Sequence, residues 1–227
     1  MGKVKKASAG TLTFTPLQQQ IFDEFAKDPK LTEKFYFTGG TALSAIYLHH
    51  RESEDLDFFS EEDFDNEYIK EFMTRVSSKM KSKLRMTLKE RVRIFELVDK
   101  KNKLIIKVDF GYYPHSRLQK GKKVQGVDID SLPDIAANKI TTILQRTEIK
   151  DFVDLYYLLQ KYTIWDLLHW SQLKFNIEID LIWLSSGLLK AEQFDYLPTM
   201  QIPLKLSDLK NFYRELTKKI GRSIVTK

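Results

Sequence analysis

Phe35-Tyr36-Phe37-Thr38-Gly39-Gly40-Thr41-Ala42-Leu43, followed by Asp55-Leu56-Asp57-Phe58-Phe59, is the stretch from which the rest of the chain is read. The first three residues are an apolar, aromatic run that stops at Gly39-Gly40, and Ala42, Leu43, Ile46 and Tyr47 then share one helical face. The order is strand, glycine turn, helix. Glycines permit close backbone approach, and the N-terminus of the helix that follows offers unpaired N–H groups to phosphate oxygens. On the next predicted strand Asp55 and Asp57 are two apart, so their carboxylates point to one face while Leu56 and Phe58 point to the other. Two like charges about 5 Å apart repel by roughly 3 kcal/mol at an effective dielectric near 20, which is costly unless water or a cation intervenes. A divalent ion turns that repulsion into binding, because Mg²⁺ takes one or two carboxylates and completes its shell with water and substrate phosphates. Taken singly, an acid-apolar-acid strand reads as a half-exposed edge, and a Gly-Gly turn as an ordinary strand end. Separated by one short helix, they point to a phosphate and metal site.

Outward from this stretch the pattern stays mixed. Upstream, Leu17, Ile21, Phe22 and Phe25 recur at helical spacing behind Pro16, which suits a first turn. Downstream, a helix is predicted over Phe64–Met80. Three strands follow at Leu84–Leu88, Val92–Val98 and Leu104–Phe110, expected to be antiparallel, with Asp99–Lys103 as a loop of hairpin length. A short strand is predicted at Val124–Val127. Ser131, Pro133 and Asp134 then mark a helix start, and helices are expected at Asp134–Arg146, Asp151–Lys161, Ile164–Phe175, Ile179–Leu189 and Ser207–Ile220, with Pro198 and Pro203 breaking the run. The expected fold is α+β: a small mixed sheet flanked by helices over residues 1–130, and a helical C-terminal lobe over 131–227 that completes a nucleotide cleft.

Composition excludes several classes. Among 227 residues there is no cysteine, so disulfides and thiolate metal sites are ruled out, and a reducing cytoplasm fits. Met1–Gly10 is a basic leader, expected to be mobile, without the apolar segment of an export signal, and no later stretch approaches the roughly 20 apolar residues that span a bilayer. A net charge of +6 permits a polyanionic partner such as RNA without requiring one. The four histidines lack zinc-site spacing, no serine sits in a nucleophile elbow, and no Walker lysine follows the glycines.

Three further acids, a lysine and an arginine enter the argument. Asp109 ends a strand on the face opposite Ile106 and Val108, where it is either a solvent-facing aspartate or a third metal carboxylate that also helps deprotonate an incoming hydroxyl. Lys139 interrupts an apolar helical stripe, four residues after Ile135 and four before Ile143. Its ammonium either snorkels to water or reaches into a cleft to hold triphosphate oxygens. Asp151 and Asp154, with Arg146 on nearly the same face as Lys139, either pair with these cations structurally or orient them toward substrate.

The chain resembles the AbiEii/AbiGii-type nucleotidyltransferases, toxins of bacterial type IV toxin–antitoxin systems within the DNA polymerase β-like superfamily. The resemblance is carried by Phe37-Thr38-Gly39-Gly40-Thr41-Ala42-Leu43, by Arg51-Glu52-Ser53-Glu54-Asp55-Leu56-Asp57-Phe58-Phe59, by Ile135-Ala136-Ala137-Asn138-Lys139-Ile140 and by Asp151-Phe152-Val153-Asp154-Leu155-Tyr156. It implies that Gly39, Gly40 and Thr41 contact the nucleotide phosphates, that Asp55 and Asp57 bind Mg²⁺ or Mn²⁺ with Asp109 as third acid, that Lys139 meets the triphosphate, and that Asp151 completes the site. It also implies a nucleoside triphosphate substrate, an acceptor hydroxyl on RNA (a tRNA end first) or on protein, and a cognate antitoxin. The alternative is an inactive scaffold of the same fold that binds RNA or a partner protein.

Overall fold

The computed structural model describes residues 13–225, so the Met1–Gly10 leader lies outside the described residues. The chain opens with α1 (Pro16–Ala26), capped by a reciprocal pair of bonds between Thr15 and Gln18, and with the short α2 (Pro29–Lys34). Next come β1 (Tyr36–Thr38), α3 (Gly39–Ala42) with a π-helical continuation over Leu43–Leu48, and β2 (Leu56–Ser60). Helix α4 (Asn66–Lys79) leads into β3 (Lys83–Leu88), β4 (Val92–Val98), β5 (Leu104–Tyr112), β6 (Lys123–Val124) and β7 (Val127–Ile129). The remainder is helical: α5 (Leu132–Gln145), α6 (Ile149–Leu158), α7 (Ile164–Phe175), α8 (Leu181–Leu189) with a 3₁₀ turn at Lys190–Gln193, and α9 (Leu206–Val225). None of these helices is long and apolar enough to cross a membrane.

The fold class is the expected α+β. Seven strands form one mixed sheet in the order β3-β4-β5-β2-β1-β7-β6. β3, β4 and β5 pair antiparallel, as their spacing suggests, but β5 then lies parallel to β2, and β1 parallel to β7. These long-range pairings set the site, because they bring Asp109 beside Asp57, its partner in register. The apolar face of β2 turns into the core, where Phe58 stacks on Phe25 of α1 at 4.0 Å between ring centroids and lies 5.4 Å from Phe110 of β5. The same buried cluster reaches Ile135 and Ile143 of α5, Phe152 of α6 and Tyr213 of α9. With Leu56 and Phe58 buried, period-two alternation leaves Asp55, Asp57 and Phe59 on the opposite face.

Three local readings change. The strand expected at Val124–Val127 is a tight hairpin between β6 and β7, because Gln125 and Gly126 both take positive φ (51° and 85°) as a two-residue turn requires. Helix α2 is an addition, with Pro29 in its first turn. The helix after the glycines widens to π geometry and stops at His49, whose N–H donates to the Ser44 carbonyl at 2.8 Å. His50 and Arg51, just beyond it, are buried.

Candidate active site

A cavity of about 630 Å³ lies between the acid-bearing face of the sheet and helices α5 and α6. Gly39, Gly40, Asp55, Asp57, Asp109, Lys139 and Asp151 all line it. Thr41 does not; its hydroxyl is buried, donates to the Asp55 carbonyl and lies 2.8 Å from Ser53 Oγ, so it fixes the backbone that carries Asp55.

The glycines are required by what passes over them. Gly39 has φ +77°, and a Cβ there would lie 2.0 Å from Asp57 Oδ2. A Cβ on Gly40 would lie 2.7 Å from Arg51 Nη2. Any side chain at Gly39 would therefore push the Asp57 carboxylate out of place.

One wall is acidic. Lys107, two residues before Asp109 and on the same strand face, places Nζ 2.9 Å from Asp109 Oδ2 and 3.3 Å from Asp55 Oδ2. It is the cation between two of the three acids. Among the described residues, the buried Asp109 Oδ1 has no hydrogen-bond partner. Burial, with Asp109 alongside, pushes Asp57 up to about 7, and burial raises Asp109 as well. Among the described residues no three or more His, Asp or Glu side chains are already gathered as a metal cluster. The donor set nevertheless fits a hard divalent cation: three carboxylates on one face, one orphaned carboxylate oxygen, and an ammonium standing in as counter-charge.

The opposite wall is a run of alternating charges. Asp154 accepts from Arg51 Nε at 2.7 Å and Nη2 at 2.8 Å, pairs with Lys139 Nζ at 2.6 Å, and lies 2.8 Å from His50 Nε2. Lys139 Nζ also donates to Asp151 Oδ1 at 2.7 Å, and Arg146 Nε donates to Asp151 Oδ2 at 2.7 Å. Burial pushes Asp154 upward, but Lys139 and Arg51 outweigh it and hold the carboxyl well below the usual carboxylate range. Burial keeps His50 below its ordinary value, and along this wall the three cations Arg51, Lys139 and Arg146 face the two anions Asp151 and Asp154. Lys139 does not snorkel to water: it is buried and paired within the wall, and it lines the cavity.

Sequence reasoning missed Lys107, Arg51 and His50. Lys107 was visible as the residue alternating with Asp109, but its reach to Asp55 depends on β2 lying next to β5. Arg51 stands in one of the stretches that carry the resemblance, but nothing local gives it a role, because its partner Asp154 is 103 residues away.

The profile of the family described as nucleotidyl transferase AbiEii toxin, type IV TA system, matches residues 20–199. The chain is also similar to an uncharacterised protein of Aquifex aeolicus (strain VF5), 35% identical over 137 residues; the alignment takes in 59% of this chain and 61% of that one, under two thirds of the relative. In fold it is similar to JHP933 from Helicobacter pylori, at 18% identity and TM-score 0.52, covering 92% of this chain and 93% of that one. A second Helicobacter pylori structure matches at 20% identity and TM-score 0.53, covering 91% and 94% respectively.

Proposed function

The chain belongs to the AbiEii nucleotidyltransferase toxin family of type IV toxin–antitoxin systems, and from that premise we propose that it moves a nucleoside monophosphate from a nucleoside triphosphate to an acceptor hydroxyl. The observation that carries this reading is that Asp55, just before β2, together with Asp57 and Asp109, faces a net-positive wall across one cavity. Such a cavity suits a polyanion whose reacting phosphorus lies on the acidic side and whose remaining phosphates lie against cations. Asp55 and Asp57 would hold Mg²⁺ or Mn²⁺, with Asp109 beside them; when bound, the ion supplies charge neutralisation for the triphosphate. Lys139 and Arg146 hold triphosphate oxygens, and Gly39-Gly40 let the phosphates lie against backbone. Asp151 and Asp154 keep the two cations oriented. Asp109 takes the proton of the acceptor hydroxyl. The acceptor oxygen bonds to the α-phosphorus, the bond from that phosphorus to its bridging oxygen breaks, and pyrophosphate leaves.

In this reading residues 1–130 form the transfer core and residues 131–227 the helical lobe that closes over the nucleotide. The net charge of +6 supports an RNA acceptor, a tRNA end first and a protein hydroxyl second. The protein acts in the cytoplasm and is restrained by a cognate antitoxin. The test is transfer of α-labelled nucleoside triphosphates to total RNA and to protein in Mg²⁺, comparing the wild type with Asp57→Ala. Label that moves only with the wild type supports the reading, and the labelled material names the acceptor. Nucleotide binding without transfer in either protein would replace it with an inactive binding scaffold.

A further inference from the structure

The cavity has a third surface that the transfer reading leaves unused. Phe59 lies two residues beyond Asp57 on the same face of β2, about 6.6 Å along the strand. Past the end of β5 the chain stays paired through Tyr113 N–H to the Ser60 carbonyl at 2.7 Å, then folds back tightly, His115 N–H donating to the Tyr113 carbonyl at 2.7 Å. His115 is thereby set 4.9 Å from the Tyr113 ring and 5.0 Å from Phe175, the last residue of α7, with Phe59 5.4 Å from Tyr113 on the other side. All four rings line the cavity that holds the acids.

This corner is held in place from beneath. Lys174, fully buried, donates to Asp134 at 2.8 Å, and Asp134 also accepts from Ser131 Oγ at 2.6 Å and from the Leu118 backbone N–H at 2.8 Å. The pair ties the last turn of α7 to the first turn of α5 and so fixes Phe175. Burial, with Lys174 and Arg91 nearby, keeps the His115 imidazole below its ordinary value. Asn138, also in the cavity wall, accepts the Tyr113 hydroxyl on Oδ1 at 3.3 Å; among the described residues its amide NH₂ has no other partner and remains for an acceptor on a ligand.

We propose that Phe59, Tyr113, His115 and Phe175, with Asn138 as the polar contact, form the subsite for the base of the donor nucleotide. The inference rests on the nucleotidyl-transfer reading and adds to it the place where the nucleoside is gripped. Aromatic planes beside the carboxylates, with Phe59 following Asp57 on one strand face, and a net-positive wall across from them match the order of base, reacting α-phosphorus with its bound cation, and β- and γ-phosphates in a nucleoside triphosphate.

The test is titration calorimetry in Mg²⁺ without acceptor, with each of the four nucleoside triphosphates and with inorganic tripolyphosphate, on the wild type, Phe175→Ala, Phe175→Leu, His115→Ala and His115→Phe. Loss of one base–aromatic stack should weaken nucleoside triphosphate binding roughly 5- to 150-fold and leave tripolyphosphate unchanged. His115→Phe should bind as the wild type does, and Phe175→Leu, which keeps apolar volume, should still show the selective loss. Equal weakening of both ligands, or no weakening of nucleoside triphosphate in the Phe175 and His115→Ala variants, would overturn the base subsite while leaving the transfer reading intact. A wild type that binds neither ligand would overturn both.

Discussion

Replacing Arg51 with methionine tests the join between the two halves of the molecule. The Arg51 side chain is 3% exposed and the Asp154 side chain 0%, and the guanidinium makes two bonds to that carboxylate, at 2.7 and 2.8 Å, and a third to the Glu52 carbonyl at 2.8 Å. Arg51→Met leaves Asp154 buried with Lys139 and His50 as its side-chain partners. Removing one partner of a buried pair costs about 3–5 kcal/mol, and at roughly 2–4 °C per kcal/mol for a chain of this size Tm should fall by about 6–20 °C. Scanning calorimetry reads this directly. Asp154 is depressed below its unfolded value of 3.8, so the stability it contributes is present above that pH and is lost as the pH falls toward its folded value. Losing Arg51 raises the folded value, so the deficit of the variant should narrow in acid. The double variant Arg51→Met/Asp154→Leu should recover much of the loss, because no charge is left stranded. A fall of less than 2 °C in Arg51→Met, or a double variant worse than the sum of the single ones, would refute the placement of this pair at the centre of the wall.

Gly39→Ala forces the Asp57 carboxylate to move, since the new Cβ would lie 2.0 Å from Oδ2, and a misplacement of about 1 Å costs on the order of 100-fold in transfer rate; activity within tenfold of the wild type would count against Asp57 as a working carboxylate. Lys107→Met takes away the ammonium between Asp55 and Asp109, so Tm in EDTA should fall by about 2–4 °C and return on adding millimolar Mg²⁺, a response larger than that of the wild type. Identical melting of that variant with and without Mg²⁺ would argue against a cation among the three acids. Ser131→Ala removes the cap of α5 and the 2.6 Å bond to Asp134, and should lower Tm by about 2–4 °C, for roughly 1 kcal/mol, while the secondary structure seen by circular dichroism stays unchanged.

Most elements were legible because their signals are local. The alternation of Asp55, Leu56, Asp57 and Phe58 predicts which side chains face the core, and the structure buries Leu56 and Phe58 completely. Ser131, Pro133 and Asp134 announce α5, whose cap is Ser131 accepting from the Asp134 N–H. The turn at Gln125-Gly126 was misread because glutamine is an uncommon residue at positive φ, and nothing in the flanking residues outweighs its ordinary preference. Thr41 illustrates a different limit. Its position after the glycines suggests a phosphate contact, yet whether a hydroxyl points out or in depends on the helix beneath it, and here it points in to the Asp55 carbonyl.

By itself the sequence determined the fold class, the glycine turn and the strand-borne acids, because periodicity and backbone preference act over a few residues. Only the tertiary structure decided which charges meet. The parallel pairing of β2 with β5 sets Asp57 beside Asp109 and lets Lys107 reach Asp55, and the packing of α6 against the loop after the π turn sets Arg51 on Asp154. These contacts join residues 52 to 103 positions apart in the chain, and electrostatic pairing in a buried site depends on distance in space, for which local residue patterns carry no information.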